Sequence, residues 1–255
     1  MTTGLVRLHS GTSPVCVRPV VSRMAAMLRT LLVLAPLLVC ATGCNIVMLL
    51  GYLIGGPPSI EPDFEVKTEE SLRDKGVTVL VLCYAPTELK WDNEAVDEEL
   101  ARMVAGQLSR NKIKVIDPDR VKAWLDKHPD WDKPSEVGAA FGVDYVVYID
   151  LHQYGLFEEN SNSLYRGRAD LIVSVIKMDE VDKKDRLDED VIATRDGESV
   201  YSKNVVSRYP EATPVSADQY PYASFKKMYL LRLSDQIGQL FYESYAGDDI
   251  PHRVL

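Results

Sequence analysis

The sequence lacks the short motifs that carry the commonest catalytic and cofactor-binding chemistry. It has no G-x-S-x-G nucleophile elbow, no glycine-rich phosphate loop, no H-E-x-x-H zinc site and no pair of C-x-x-C motifs. The acidic segment 179–190 does not place acids at alternate positions ahead of a glycine, so it predicts a solvated loop rather than a calcium site. We therefore expect no metal, no cofactor and no enzymatic activity.

Acidic residues are also absent from the first 60 positions, and residues 30–60 carry no charge at all. Arg29 stands directly before this uncharged run. Its apolar core is residues 31–39, and three small residues, 41–43, precede Cys44. A basic flank, an apolar core and small residues before a cleavage point are typical of a secretory signal.

The end of this run resembles a bacterial lipobox, in which the cysteine is acylated and becomes the first residue of the mature protein. The resemblance implies that residues 1–43 are an upstream segment and signal peptide, and that Cys44 carries acyl chains such as palmitate. Two or three chains, at about 0.8 kcal/mol for each buried methylene, hold a domain stably at a membrane. Asn45 is not the aspartate that retains lipoproteins at the inner membrane in some bacteria. We therefore expect a protein of the outer membrane that faces the periplasm.

An uncleaved membrane span is the alternative for the same segment. Residues 31–56 would reach about 39 Å as a helix, and the hydrocarbon core of a bilayer is roughly 30 Å thick. Pro36, Gly43 and Gly51 would interrupt such a helix, and the small residues before Cys44 suit a cleavage site. The signal peptide is the preferred interpretation, and a single-pass anchor stays open.

Basic residues are in the minority once the signal is removed. Residues 1–43 contain four of the 29 basic residues and none of the 38 acidic ones, so the chain from Cys44 has 25 basic and 38 acidic residues and a net charge of −13. Such a surface repels nucleic acid. Cys83 is the other cysteine beyond residue 43, and its apolar surroundings predict a buried structural thiol. The expected partners are the membrane, through acylated Cys44, and either an envelope protein or a second copy of the chain.

Residues 76–246 predict a single α/β domain, with 44–75 as lipid anchor and tether and 247–255 as a tail. Residues 77–84 are nearly all apolar, as expected of a strand covered on both faces. Alternation along 164–178 predicts a long antiparallel hairpin with the strand before it. The other predicted elements are helices at 93–110, 118–125 and 134–141, strands at 113–116, 145–157 and 198–209, and an amphipathic C-terminal helix at 224–245. This order predicts a mixed sheet packed by helices.

Two blocks within this domain, LSRNKIKVIDPDRVKAWL at 108–125 and EVGAAFGVDYVVYIDL at 136–151, resemble a known periplasmic domain. It is shared by curli-secretion lipoproteins, lipoprotein activators of penicillin-binding proteins and the TolB amino-terminal domain, and the matching positions are 115–120 and 138–144. The resemblance implies a domain that acts by binding envelope proteins. The chain departs from that group at 83–86, Cys-Tyr-Ala-Pro where Pro-Phe is usual, and it has no separate insertion to build a pore. Ring-shaped pore formation is therefore the weaker expectation.

Asp150 and His152 are the only candidates for chemistry. They stand two apart on a predicted strand, so their side chains share one face. Facing a cleft, such a pair could serve an envelope hydrolase, which is the alternative to a binding protein. No nucleophile accompanies the pair in the sequence, so an ordinary strand histidine is the preferred interpretation.

Aromatic residues gather in two places, and each group allows two interpretations. Tyrosine suits a partner-binding surface, because it offers apolar area with a polar tip, and it equally suits a sheet that faces a helix. The groups are Tyr154, Phe157 and Tyr165 around the hairpin, and Tyr209, Tyr220 and Tyr222 before the last helix.

Overall fold

A computed structural model describes Gly51, residues 59–179 and residues 195–245. The chain divides into two compact units, Met1–Pro57 and Pro58–Leu255. In chain order the elements of the second unit are β1 (Ser59–Ile60), α1 (Asp63–Thr68), β2 (Val79–Tyr84), α2 (Thr87–Lys90), α3 (Val96–Arg110), α4 (Pro118–Leu125), α5 (Pro134–Phe141), β3 (Tyr145–Phe157), β4 (Leu164–Met178), β5 (Gly197–Tyr209), β6 (Val215–Ser216), α6 (Tyr222–Gly238) and β7 (Ser244–Tyr245). The predicted signal peptide, the predicted tail 247–255 and the acidic segment after Asp179 lie outside the described residues.

Five of the strands form one mixed sheet. Its order is β2-β3-β4-β5, and the short β6 pairs with the start of β4. β2 runs parallel to β3, from Val79 beside Tyr145 to Tyr84 beside Asp150, and the other neighbours are antiparallel. The predicted fold class is confirmed: a mixed sheet packed by helices, with a long β3–β4 hairpin and a C-terminal helix.

Helices cover the two faces of this sheet with two separate cores. On one face, α3 and α6 pack against the sheet, and Leu100 and Phe225 are fully buried there. On the other face a smaller core joins Leu82 of β2 to Val121 of α4 and Val137 of α5. A strand with apolar side chains on both sides is what a strand between two such layers requires.

Capping signals set the start of α4 and the end of α5, as the sequence predicts. The Asp117 side chain accepts the backbone N–H of Asp119 at 3.0 Å, and Pro118 is the first helical residue. α5 ends at Gly142, whose φ of 61° is the left-handed conformation that glycine adopts readily. Gly138 brings α5 close to the sheet, because a Cβ there would lie 2.6 Å from a β3 side chain.

The segment predicted as a solvated tether, residues 59–75, belongs to the folded domain. β1 pairs with β7, and α1 buries Phe64 completely. The Phe64 ring packs on the rings of Tyr145, Tyr201 and Phe241, with centroid distances of 6.3, 5.5 and 5.8 Å. The prediction was wrong because one phenylalanine among charged residues gives no periodic apolar signal, and its partners lie far along the chain.

Charged residues of this segment, which its composition assigns to a solvated tether, bind it to the sheet. Two of its carboxylates are each bound by lysine and by one tyrosine hydroxyl. The partners are Lys67, Lys203 and Tyr201 for Asp63, and Lys177 and Tyr145 for Glu70. The ammonium groups, and then the hydroxyls, lower the pKa of both carboxyls. Among the described residues of the second unit, folded structure therefore begins at residue 59 rather than 76.

The predicted strand at 113–116 is reduced to a single bridge residue, Val115, beside Val79. The N–H of Val79 donates to the carbonyl of Lys114 at 2.8 Å, and its carbonyl accepts the N–H of Ile116 at 2.9 Å. Asp117 then turns the chain into α4. The edge of β2 beyond Val79 therefore has no neighbouring strand among the described residues.

Candidate functional site

The predicted acylation site, Cys44, lies outside the described residues. Along 59–179 and 195–245, no helix is both long enough and apolar enough to span a membrane. The same ranges contain no group of three or more His, Cys, Asp or Glu side chains that could hold a metal ion.

The structure brings Asp150 and His152 together on β3. The His152 ring Nε2 lies 3.1 Å from the Asp150 carboxylate, and the imidazole is exposed. Within the described part of the chain, neither side chain is hydrogen-bonded to a serine, threonine or cysteine. Among the described residues, the pair therefore has no nucleophile beside it.

Cys83 is the buried thiol that the sequence predicts, with 8% of the residue exposed. Its side chain lies against α3. Burial, and then the carboxylate of Asp97, raise the pKa of the Cys83 thiol well above its usual value. A thiol in this protonated state is a poor nucleophile.

The two aromatic groups of the sequence meet in one layer between the sheet and α6. Tyr165 stacks on Phe225 with a centroid distance of 4.8 Å, and Tyr209 lies on the same ring at 6.4 Å. Both tyrosines are buried, whereas Tyr222 at the start of α6 is 40% exposed. Of the two interpretations, the structure favours packing between sheet and helix, with Tyr222 as the exposed member.

A cleft of about 530 Å³ opens along the free edge of β2. We call it the β2-edge cleft. Its floor is Val81, Leu82, Cys83 and Tyr84, with Tyr148 of β3 beside them. Consecutive residues of β2 point to opposite faces of the sheet, so a cavity lined by all four must wrap around the strand edge.

The two walls of the β2-edge cleft differ in character. α3 contributes Asp97, Glu98, Ala101 and Arg102 on one side. On the other side α4 and the loop after it contribute an apolar patch with acidic residues beside it. These residues are Val121, Leu125, Pro129 and Trp131, with Asp126 and Asp132 next to them.

Ion pairs join the two walls. Lys122 of α4 lies 2.7 Å from Glu98 of α3 and 3.2 Å from Asp126, and these two carboxylates raise the pKa of Lys122. Arg102 of α3 lies 2.8 Å from Asp119 of α4. Both pairs therefore bridge α3 and α4.

Sequence reasoning missed this cleft, because the short strand that it predicted at 113–116 is a single bridge residue in the structure. A helix that begins at Pro118 leaves too few residues for a strand the length of β2.

Comparisons with known proteins give only weak likenesses. No family model matches the chain, and no curated protein matches it. Among solved structures, it is similar to lipoprotein GNA1162 from Neisseria meningitidis, with 14% identity over 63% of this chain and 97% of that one and a TM-score of 0.37. It is also similar to PelC from Paraburkholderia phytofirmans, a dodecamer, with 8% identity over 72% and 95% and a TM-score of 0.35. A hypothetical protein, CT253 from Chlamydia trachomatis, gives 16% identity over 66% and 92% and a TM-score of 0.32. These values identify no family, so the family resemblance drawn from the sequence stays a prediction.

Proposed function

We propose that this chain is a bacterial envelope lipoprotein, anchored by acyl chains on Cys44, whose domain binds another envelope protein and performs no chemistry. The observation that carries the proposal is the uncharged run with its basic flank and its small residues directly before Cys44. Asn45 favours the outer membrane and a domain that faces the periplasm.

The start of the folded domain supports this arrangement. Because β1 begins at Ser59, the connector is residues 45–58, which can span at most about 50 Å when fully extended. An acylated Cys44 would therefore keep the domain close to the membrane surface. A partner in the same envelope layer would be within reach.

Within the described residues, the state of the two candidate reactive groups supports a binding role. The Asp150–His152 pair is exposed and bonded only to itself among the described side chains, and the Cys83 thiol is buried. The ion-paired walls of the β2-edge cleft suit recognition of a partner better than catalysis.

Intact-mass analysis of membrane-extracted protein, beside a Cys44→Ser variant, tests the anchor. We expect a mature chain that begins at an acylated Cys44, and a variant that is neither processed nor retained in the membrane. An unmodified Cys44 with residues 31–56 still attached would overturn the lipoprotein proposal and favour the single-pass anchor. Crosslinking of the full chain in intact cells, followed by mass spectrometry, tests the binding role separately.

An envelope hydrolase is the second candidate, because Asp150 and His152 do make the contact that general-base catalysis needs. A broad ester and peptide substrate screen, run on the wild type and on His152→Ala, separates the two. A binding protein should show no turnover in either. Turnover that disappears in His152→Ala would establish the hydrolase.

A further inference from the structure

The free edge of β2 contains backbone groups that point into the β2-edge cleft. In a strand, the N–H and C=O of one residue point to the same side, and those of the next residue point to the other side. Val79 directs both groups away from β3, because they bond to Lys114 and Ile116. Val81 and Cys83 therefore direct their N–H and C=O groups away from β3 as well, towards the cleft.

These four groups have no hydrogen-bond partner among the described residues. Val81 is 3% exposed and Cys83 is 8% exposed, and both residues line the cleft. Buried backbone groups are paired in more than roughly 90% of cases. Two donors and two acceptors at alternate residues of one strand are the pattern that another strand satisfies.

The cleft has room for such a strand. Val81 and Cys83 are about 7 Å apart along the strand, so three or four extended residues would reach all four groups. The cleft volume of about 530 Å³ falls within the roughly 300–1,000 Å³ of ligand pockets. The described residues do not fill the space themselves, because Asp117 diverts segment 113–116 into α4 after one bridge residue.

The two walls specify the side chains of the added strand. Alternate residues of that strand would point to opposite walls. The α4 wall offers Leu125 and Trp131, which suit apolar side chains, with Asp132 beside them, whereas Asp97 and Glu98 of the α3 wall are ion-paired with Lys90 and Lys122. Asp132 has no ion pair within the described residues, and the cleft lining carries one more carboxylate than it has cations. Basic side chains complement this excess of negative charge.

From this geometry we infer that the β2-edge cleft binds an extended segment of a partner protein, composed of apolar residues with lysine or arginine among them, by adding it as a strand beside β2. The inference rests on the proposed protein-binding function and assigns the site for it. Main-chain hydrogen bonds would supply affinity, and the two walls would supply specificity.

The test uses the full chain in nonionic detergent and a set of acetylated, amidated peptides in which lysine alternates with Val, Ile, Leu or Phe. Exchange of the Val81 and Cys83 amides is followed by NMR after ¹⁵N labelling of valine and cysteine. We expect at least one peptide to slow both amides about tenfold or more. If no peptide slows them, the cleft edge is paired by water alone and the inference is wrong.

Backbone methylation of the bound peptide separates strand addition from simple charge attraction. Two sets of peptides carry methyl groups on alternate backbone nitrogens. In one set the methyl groups would block the hydrogen bonds to β2, and in the other set they would face away from β2. We expect one set to lose at least tenfold in affinity and the other to retain binding. Equal affinities of the two sets would contradict the inference, and no folding of a protein variant is involved.

A matched pair of protein variants locates the site. Ala101→Trp fills the cleft from the α3 wall and should weaken binding at least tenfold, whereas Ala123→Trp places the same side chain on an exposed position of α4. Equal binding by both variants would place the peptide elsewhere. Crosslinking in cells could find a partner protein although no peptide slows exchange of the Val81 and Cys83 amides. That result would support the protein-binding function and show that the β2-edge cleft is not its site.

Discussion

Phe64→Ala tests whether residues 59–75 are part of the fold. The Phe64 side chain is fully buried among three aromatic rings, at centroid distances of 5.5 to 6.3 Å. Removing a buried phenylalanine costs about 3–5 kcal/mol, from lost burial and from the cavity left behind. The rings that line the site are held by three separate elements, so we expect little collapse and a value towards the upper end.

Urea unfolding of the full chain in nonionic detergent measures this cost. With a slope of roughly 2 kcal/mol per molar urea, the midpoint should fall by about 1.5–2.5 M. Val66→Ala is the control, because Val66 lies in the same helix with 61% of its surface exposed, and its effect should stay within about 0.5 kcal/mol. Equal midpoints for the two variants would mean that the segment is the solvated tether that its composition suggests.

Limited trypsin digestion gives a second measurement of the same event. If α1 detaches before the rest of the domain unfolds, Phe64→Ala should expose Lys67 and Arg73 to cleavage under conditions where the wild type is resistant. An unchanged digestion pattern together with an unchanged midpoint would refute the docking of this segment.

Two further predictions follow from single contacts. Because their partners lower the pKa of Asp63 and Glu70, the ionised carboxylates stabilise the fold above their ordinary pKa values of 3.8 and 4.5, and this stability is lost as the pH falls through the lowered values. Urea midpoints should therefore drop from pH 5 to pH 3, and less steeply in Asp63→Asn and Glu70→Gln; equal slopes would contradict the assignment. Gly138→Ala should destabilise the fold by about 1–3 kcal/mol, since its Cβ would meet Val146 at 2.6 Å. Gly106→Ala has open space in α3 and should stabilise the fold by about 0.5–1 kcal/mol. Thermal melts that show the same sign for both variants would refute this packing.

Elements with strong local signals could be predicted from the sequence alone. The apolar spacing of α3, the Asp117 cap of α4 and the Gly142 stop of α5 each depend on residues a few positions apart, and the structure confirms them. The β3–β4 hairpin was equally accessible, because alternation sets both the strand type and the buried face. These signals act within one element, so tertiary packing reinforces them.

Features that depend on distant residues could not be predicted in this way. The docking of Phe64 requires Tyr145 and Tyr201, which are brought together only by the register of β3 with β4 and of β4 with β5. The β2-edge cleft depends on unpaired backbone groups, and every non-proline residue has the same backbone groups. The backbone groups of Val81 and Cys83 stay unpaired among the described residues because segment 113–116 turns away from the edge of β2 at Asp117.

The point at which the chain enters the domain bears on how the cleft can be used. Segment 59–75 docks at the end of the sheet where β2 and β3 begin, since Glu70 contacts Tyr145, the first residue of β3. The β2-edge cleft lies towards the other end of β2, from Val81 to Tyr84. A partner segment could therefore add to β2 without displacing segment 59–75.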